Sequence, residues 1–324
     1  VYYEGCEYTS RTFNSIQLGI GYIAAVLEEH GHQVDIFECL AQRISSKEVL
    51  EKVREEKYDV IGLSSYYYNY TSTLRMLMSL RKQNKAVFIF AGGYYPTTST
   101  IDALNKLRGV DCCVLGEGEY IVLELVEALA NKKDWRKIKG IAYLEGKEAV
   151  INKNTSLIKN LDKLPFPKRV TQGPKGWTNM ISSRGCYGFC SFCGVRDFYS
   201  QCDGAIARYR SCQNVVDELE ILVKEKNVKH ISFVDDNFAA GSQSRTKWLD
   251  EFCQEVKKRN LKFTFDINAR ANDIENHPEN MDKLKEIGLI SVLIGVESFV
   301  QRQLDFYNKK VKAESNIVAM KKLS

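Results

Sequence analysis

No stretch of about eighteen apolar residues occurs in this chain, so a membrane-spanning helix is not expected. A basic, apolar, small-residue leader is also lacking, although the chain opens on Val1 rather than Met. Neither sign of charge dominates. The 46 basic and 41 acidic residues leave a net +5 with no polybasic block, which gives no reason to expect nucleic acid. Histidine is scarce, at 4 residues, and proline at 5. No GxGxxG follows the early strands and no GxxxxGK[ST] occurs anywhere, which disfavours a dinucleotide or a nucleoside triphosphate. What the chain does have is cysteine, 10 in 324 residues. In a long chain without a secretion signal, that many thiols fit a reducing, cytoplasmic setting.

The length suits two domains. Residues 1–151 alternate helices and short apolar runs: helices over 18–29, 46–54, 72–82, 97–107 and 119–130, strands over 34–38, 60–63, 86–91 and 110–115. This is the rhythm of a doubly wound, Rossmann-like α/β sheet. A hairpin is expected over 138–151, turning at Glu145-Gly146-Lys147. Residues 152–175 hold Pro165, Pro167 and Pro174 without a clear period and read as a linker. From 176 to 324 a second alternation begins, with strands over 179–183, 230–235, 262–268 and 290–295 and helices over 214–225, 244–259, 280–287 and 313–323. Four βα units suit an open or partial barrel, whose last strand would leave an edge, so further chain is expected beyond Ser324.

Seven cysteines are scattered. Cys39, Cys112 and Cys113 fall at or in expected strands and read as core, whereas Cys6 lies in a polar loop where a bound cofactor could reach it. The other three, Cys186, Cys190 and Cys193, sit in the run Ser182-Ser183-Arg184-Gly185-Cys186-Tyr187-Gly188-Phe189-Cys190-Ser191-Phe192-Cys193. Three thiolates in one tight loop can hold three corners of a 4Fe–4S cluster and leave one iron open for chemistry. The rival is zinc, which wants four ligands, with Cys202 as the nearest further thiol. Gly185 and Gly188 favour the cluster, because they let the backbone wrap tightly and turn N–H groups inward. The loop also follows a strand, at the face where barrel enzymes keep their active sites.

CxxxCxxC after a first barrel strand, with the aromatic Phe192 before the last Cys, resembles the radical S-adenosylmethionine (SAM) superfamily. The resemblance implies a partial (βα)6 barrel in which SAM binds the open iron and is cleaved to a 5′-deoxyadenosyl radical. It also implies strand-end contacts to SAM. Asp235 and Asp236 would meet its amine, Arg270 its carboxylate, and Glu297 its amine or ribose, with Arg210 a weaker candidate. The bland alternative for each is a helix cap or an ion pair at a strand end.

The strand-end loops of the first domain are rich in tyrosine and glycine: Ser64-Ser65-Tyr66-Tyr67-Tyr68-Asn69-Tyr70, Gly92-Gly93-Tyr94-Tyr95-Pro96 and Gly116-Glu117-Gly118-Glu119. Paired glycines at a strand end let backbone approach a large ligand. Ser64 and Gly92-Gly93 resemble the Ser-x-Leu and Gly-Gly positions of the cobalamin-binding domain of methionine synthase and mutases. That resemblance implies cobalamin held by Ser64, Ser65, Tyr66, Gly92, Gly93, Tyr94, Gly116 and Glu117. The family's Asp-x-His-x-x-Gly motif is missing, and no His lies in residues 4–14, so cobalt would lack a histidine ligand. The domain order and the linker Leu161-Asp162-Lys163-Leu164-Pro165-Phe166-Pro167 are similar to those of radical SAM enzymes with an N-terminal cobalamin domain. The bland reading is tyrosine packing on a fold that binds nothing.

The resemblance thus implies a cobalamin-dependent radical SAM enzyme, foremost a C-methyltransferase. Its cofactors would be a 4Fe–4S cluster, SAM and methylcobalamin. It would act on a small-molecule or peptide substrate, with a reductase as electron donor. A cyclase, ring-rearranging enzyme or epimerase would use the same cofactors without net methylation. A cobalamin carrier or an iron–sulfur electron-transfer protein is the reading from another class.

Overall fold

A computed structural model describes residues 17–153, 156–171, 176–239 and 241–324. Cys6 and the loop over 4–14 lie outside the described residues. The described residues fall into two compact units, those up to 158 with 164–171 and 197–204, and those over 159–163 with 176–196 and from 205 onward.

The first unit is built on a mixed sheet of β1 (Val60–Ser64), β2 (Phe88–Gly92), β3 (Cys112–Val114), β4 (Ile141–Glu145) and β5 (Glu148–Ile151), in that spatial order. β1, β2 and β3 pair in parallel, while β4 and β5 close the edge as an antiparallel hairpin. The apolar run Phe-Ile-Phe-Ala of β2 suits a strand covered on both faces, and Ile89, Phe90 and Ala91 are buried, whereas β1 is only partly buried. Leu77, Ile89, Ala91, Leu104, Leu107 and Cys113 make the densest part of the core. The strand expected over 34–38 joins no ladder among the described residues, and a short helix, Cys39–Gln42, follows it. The helix expected over 97–107 is broken at Ser99 into Tyr94–Thr98 and Thr100–Lys106. Within the expected linker, Leu157, Leu161 and Leu164 are buried, and Lys168 N–H bonds Gly21 O at 3.0 Å.

The second unit holds a parallel sheet of β6 (Trp177–Met180), β9 (His230–Phe233), β10 (Thr264–Arg270) and β11 (Leu289–Gly295), in the order β11-β10-β9-β6. β7 (Ser183–Arg184) and β8 (Arg208–Tyr209) form a small antiparallel clasp. Helices return on one face, and two of them begin at serine caps. Ser211 accepts Asn214 N–H and Ser242 accepts Arg245 N–H. Phe233, Phe252, Phe265 and Leu284 fill the core between helices and sheet. The helix expected over 214–225 is α-helical only over Cys212–Glu220, then widens to a π turn over Ile221–Glu225. Two short helices had no sequence signal, Ala271–Asn276 and Gln301–Phe306. Among the described residues no helix is long and apolar enough to cross a membrane.

Candidate functional site

In the second unit, the chain leaves β6 and crosses the carboxyl end of the sheet. Asp235, just past β9 and 1% exposed, anchors that crossing. Its carboxylate accepts Ser182 N–H at 3.0 Å, Ser182 Oγ at 2.6 Å and Ser183 Oγ at 2.5 Å. Buried Arg245 balances it. The guanidinium donates to Ser182 Oγ at 2.6 Å and to Phe238 O at 2.9 Å, and lies 3.7 Å from the Trp248 ring centre. Burial lowers the Arg245 pKa, and Asp235 opposes that shift. Asp235 is therefore engaged in holding the loop root, which leaves little of it for an amine of SAM.

Asp236 accepts Gly185 N–H at 3.0 Å. Its side chain still reaches solvent, yet the protein packed around it pushes the carboxyl up to about 6, with Asp235 adding to the rise and the Gly185 N–H opposing it. Gly185 has φ +77°, and a Cβ there would overlap the Ile206 carbonyl. Only glycine takes this corner without strain.

The loop places Cys186, Cys190 and Cys193 half-buried and free of disulfides. Gly188 N–H donates to Cys186 Sγ at 3.3 Å, and Arg270 Nη1 donates to Cys190 Sγ at 3.4 Å. A Cβ on Gly188 would overlap Arg270 Nη1, so this glycine makes room for the cation as well as for the turn. Burial raises the Cys186 pKa, while Gly188 N–H and Arg270 pull it back. Thiols that receive an N–H and a guanidinium hydrogen suit an iron–sulfur cluster, whose sulfur ligands are thiolates. Among the described residues no three His, Cys, Asp or Glu side chains gather as a single-ion site.

Arg270 ends β10 and is buried. It also donates to Lys309 O and lies 5.2 Å from the Tyr187 ring centre, while its Nε has no protein partner. Tyr187 donates to Asp273 Oδ1 at 2.7 Å, which Asn237 steadies through Oδ2 at 2.7 Å. Phe192 is exposed, with its ring 5.3 Å from Tyr307 and nearly perpendicular to it. Glu297 lies just past β11 and pairs with Lys309 Nζ at 3.2 Å. Arg210 is committed elsewhere. It bonds Ile181 O at 2.8 Å and Asn214 Oδ1 at 2.6 Å, and it pairs with buried Glu218 at 2.5 Å. Sequence reasoning missed Arg245, Asp273, Tyr307 and Lys309, because each is far along the chain from the motif it serves.

In the first unit, β1 and β2 end side by side, Ser64 opposite Gly92. Ser65 N–H bonds Gly92 O at 2.9 Å and Tyr95 N–H bonds Ser65 O at 3.0 Å. Gly93 has φ +98°, and its missing Cβ would lie 3.1 Å from Ser65 O. The fully buried hydroxyl of Ser65 has no protein partner. Such a group costs stability unless a ligand satisfies it, which suits the buried arm of a cobalamin. Tyr68, Tyr66, Tyr94 and Phe198 stack in a column, with ring centres 5.1, 6.4 and 6.0 Å apart and planes within 16°. Gly116 N–H bonds Thr97 Oγ1 at 2.9 Å. Glu117, expected at the ligand, accepts Ile158 N–H at 2.7 Å and so ties down the chain after the hairpin.

Residues 9–126 match the B12 binding domain family, and residues 180–324 match the Radical SAM superfamily. The chain is 27% identical over 314 residues to an uncharacterized methyltransferase of Pyrococcus horikoshii, covering 94% of this chain and 65% of that protein. It is 29% identical over 315 residues to the anaerobic magnesium-protoporphyrin IX monomethyl ester cyclase of Rubrivivax gelatinosus, covering 92% of this chain and 54% of that one. Among solved structures, the cobalamin-dependent SAM radical enzyme OxsB superposes with a TM-score of 0.81 at 21% identity, covering 98% of this chain and 46% of OxsB. The radical SAM methyltransferase TsrM of Kitasatospora setae superposes with a TM-score of 0.78 at 16% identity, covering 95% of this chain and 62% of TsrM. This chain is thus similar to about half to two-thirds of each protein.

Proposed function

We propose that this chain, which joins a B12-binding domain to a radical SAM domain, works as a cobalamin-dependent radical SAM methyltransferase on carbon of a small-molecule or peptide substrate, in a reducing cytoplasm and with a reductase as electron donor. The observation that carries this reading is the loop over 185–193, with three half-buried free thiols, one under Arg270 and one under Gly188 N–H. When bound, a 4Fe–4S cluster with SAM supplies a carbon-centred radical and cobalamin supplies a methyl group. The chain's residues hold and orient. Cys186, Cys190 and Cys193 are the cluster ligands. Arg270 keeps positive charge against the thiolates, and its unpartnered Nε is left to meet a carboxylate. Glu297, about a third exposed, is left to accept from an amine or a ribose hydroxyl. Asp235, Ser182 and Arg245 fix the loop root, so the thiols need little rearrangement on binding. Ser65, Gly92 and Gly93 would receive the buried arm of the corrinoid, and Tyr66 and Tyr94 would keep water from its face.

The test is anaerobic purification, then incubation with SAM and a strong reductant. Iron, sulfide and cobalt with the chain, plus both S-adenosylhomocysteine and 5′-deoxyadenosine as products, support the reading. Iron-free protein, or no SAM turnover, overturns it. The 29% identity to a cyclase favours a second reading, a ring-forming reaction without net methylation. That reading expects 5′-deoxyadenosine without S-adenosylhomocysteine.

A further inference from the structure

One turn in the second unit touches three parts of the thiol site, although no sequence motif marks it. Residues 307–309 follow the helix Gln301–Phe306. Tyr307 O accepts Ser191 N–H at 2.9 Å, and Asn308 Nδ2 donates to Phe189 O at 2.8 Å. These two bonds grip the backbone on either side of Cys190. Lys309 O accepts from Arg270, the same guanidinium that reaches Cys190 Sγ. Lys309 Nζ, on a residue 3% exposed, pairs with Glu297 at 3.2 Å. Gly295 leaves room for that ammonium, since a Cβ there would lie 2.9 Å from Nζ.

Backbone geometry at the same place is unusual. Glu297 and Lys310 have φ of 62° and 55°, in the left-handed region that non-glycine residues rarely occupy, while Asn308, at φ 50°, makes the usual left-handed end of the helix with Lys309 N–H on Leu304 O at 3.0 Å. Such conformations persist where surrounding contacts over-determine them, and they concentrate at functional sites. Here the contacts are the bonds from residues 307–309. A buried ammonium also needs a counter-charge, and Glu297 provides it.

We propose that residues 307–309 are a positioning element that couples the thiol loop to Glu297, with Lys309 as its central residue. Lys309 holds the Glu297 carboxylate at the end of β11 through its ammonium, and holds Arg270 against Cys190 through its carbonyl. The inference rests on the function proposed above, with Glu297 meeting SAM. It adds that SAM affinity depends on a lysine that does not itself touch SAM.

The test uses the whole chain, reconstituted anaerobically, and measures iron per chain, the electron paramagnetic resonance spectrum of the reduced cluster with and without SAM, and the SAM dissociation constant. Lys309→Met keeps the carbonyl and removes the ammonium. It is expected to retain iron, to weaken SAM by about tenfold, and to lose most of the spectral change that SAM causes. Because Lys309 acts through Glu297, Lys309→Met with Glu297→Gln should bind SAM no more weakly than Glu297→Gln alone. Asn308→Gly removes the bond to Phe189 O while keeping a residue that takes the left-handed φ of 50°, and should alter the spectrum of the reduced cluster without SAM. This milder variant decides the matter if Lys309→Met does not fold. Unchanged SAM affinity in Lys309→Met, fully additive losses in the double variant, or a wild-type spectrum in Asn308→Gly would each overturn the proposal. A wild-type chain that takes up no iron would instead overturn the function on which it rests.

Discussion

The carboxyl ends of the two parallel sheets are built on opposite plans. In the second unit, the sheet's carboxyl end is lined by charged side chains held by protein partners, with Arg270 Nε left over. Asp235, Arg245, Arg270 and Lys309 are buried, and each has a protein partner. In the first unit, the ends of β1 and β2 are neutral and aromatic, with a column of stacked rings and one buried hydroxyl left unpaired. The first plan suits a small, charged group that must be held in one orientation, since buried charges tolerate only one arrangement of partners. The second suits a large ligand gripped by area and one specific bond. Similar strand ends thus suit two kinds of ligand, and the difference lies in the groups they present, charged in the second unit and neutral and aromatic in the first.

The largest effect that would sharpen this contrast is separable loss of metal. Cys186→Ala is expected to abolish cluster iron, read from iron analysis and visible absorbance, while leaving corrinoid uptake intact. Simultaneous loss of both would break the idea of two independent sites. Next comes Gly185→Ala. A left-handed φ and an overlap with Ile206 O should destabilise the loop by at least about 2 kcal/mol, seen as a lower melting temperature and poor cluster retention. The matching change in the first unit has mixed signs. Ser65→Ala removes an unpaired buried hydroxyl, so the ligand-free chain should gain about 1 kcal/mol while cobalamin affinity falls. Lower stability without weaker binding would show that Ser65 serves packing alone.

The smallest effect concerns pH. Asp236 has its folded pKa raised to about 6, above the ordinary carboxyl value. The folded state therefore favours the protonated form. That contribution is fully present below about pH 4, where the unfolded carboxyl is also protonated, and is lost as pH rises through about 6. Asp236→Asn should flatten this part of the stability profile and make the ligand-free chain relatively more stable near pH 7. Solvent access keeps the change small. An unchanged profile from denaturant titrations at pH 4, 5, 6 and 7 would remove Asp236 from the account.

Much of this was legible in the chain because it is local. The spacing of Cys186, Cys190 and Cys193, the Gly185 corner and the apolar runs of β1, β2 and β10 depend on neighbours within a few residues. Two local readings differ from the structure among the described residues. Residues 34–38 have strand-like composition but join no described ladder, and residues 97–107 break at Ser99. Other residues singled out from the sequence carry structural bonds that local reasoning did not foresee. Asp235 and Asp236 follow a strand, as expected, and both carry structural bonds, Asp235 with Ser182 and Ser183 and Asp236 with Gly185 through one oxygen. Glu117 and Arg210 were likewise drawn into structural bonds, with Ile158 N–H and with Glu218.

By itself the sequence determined the alternation of elements, the two-domain order and the three-thiol loop, because each follows from periodicity and short-range spacing. Tertiary structure alone decided which polar groups remain open to a ligand. A carboxylate's partners can lie more than fifty residues away, as Ser182 does from Asp235, and a lysine's as Glu297 does across a helix from Lys309. Burial fixes the cost of leaving such groups unpaired, and burial exists only once the chain has folded.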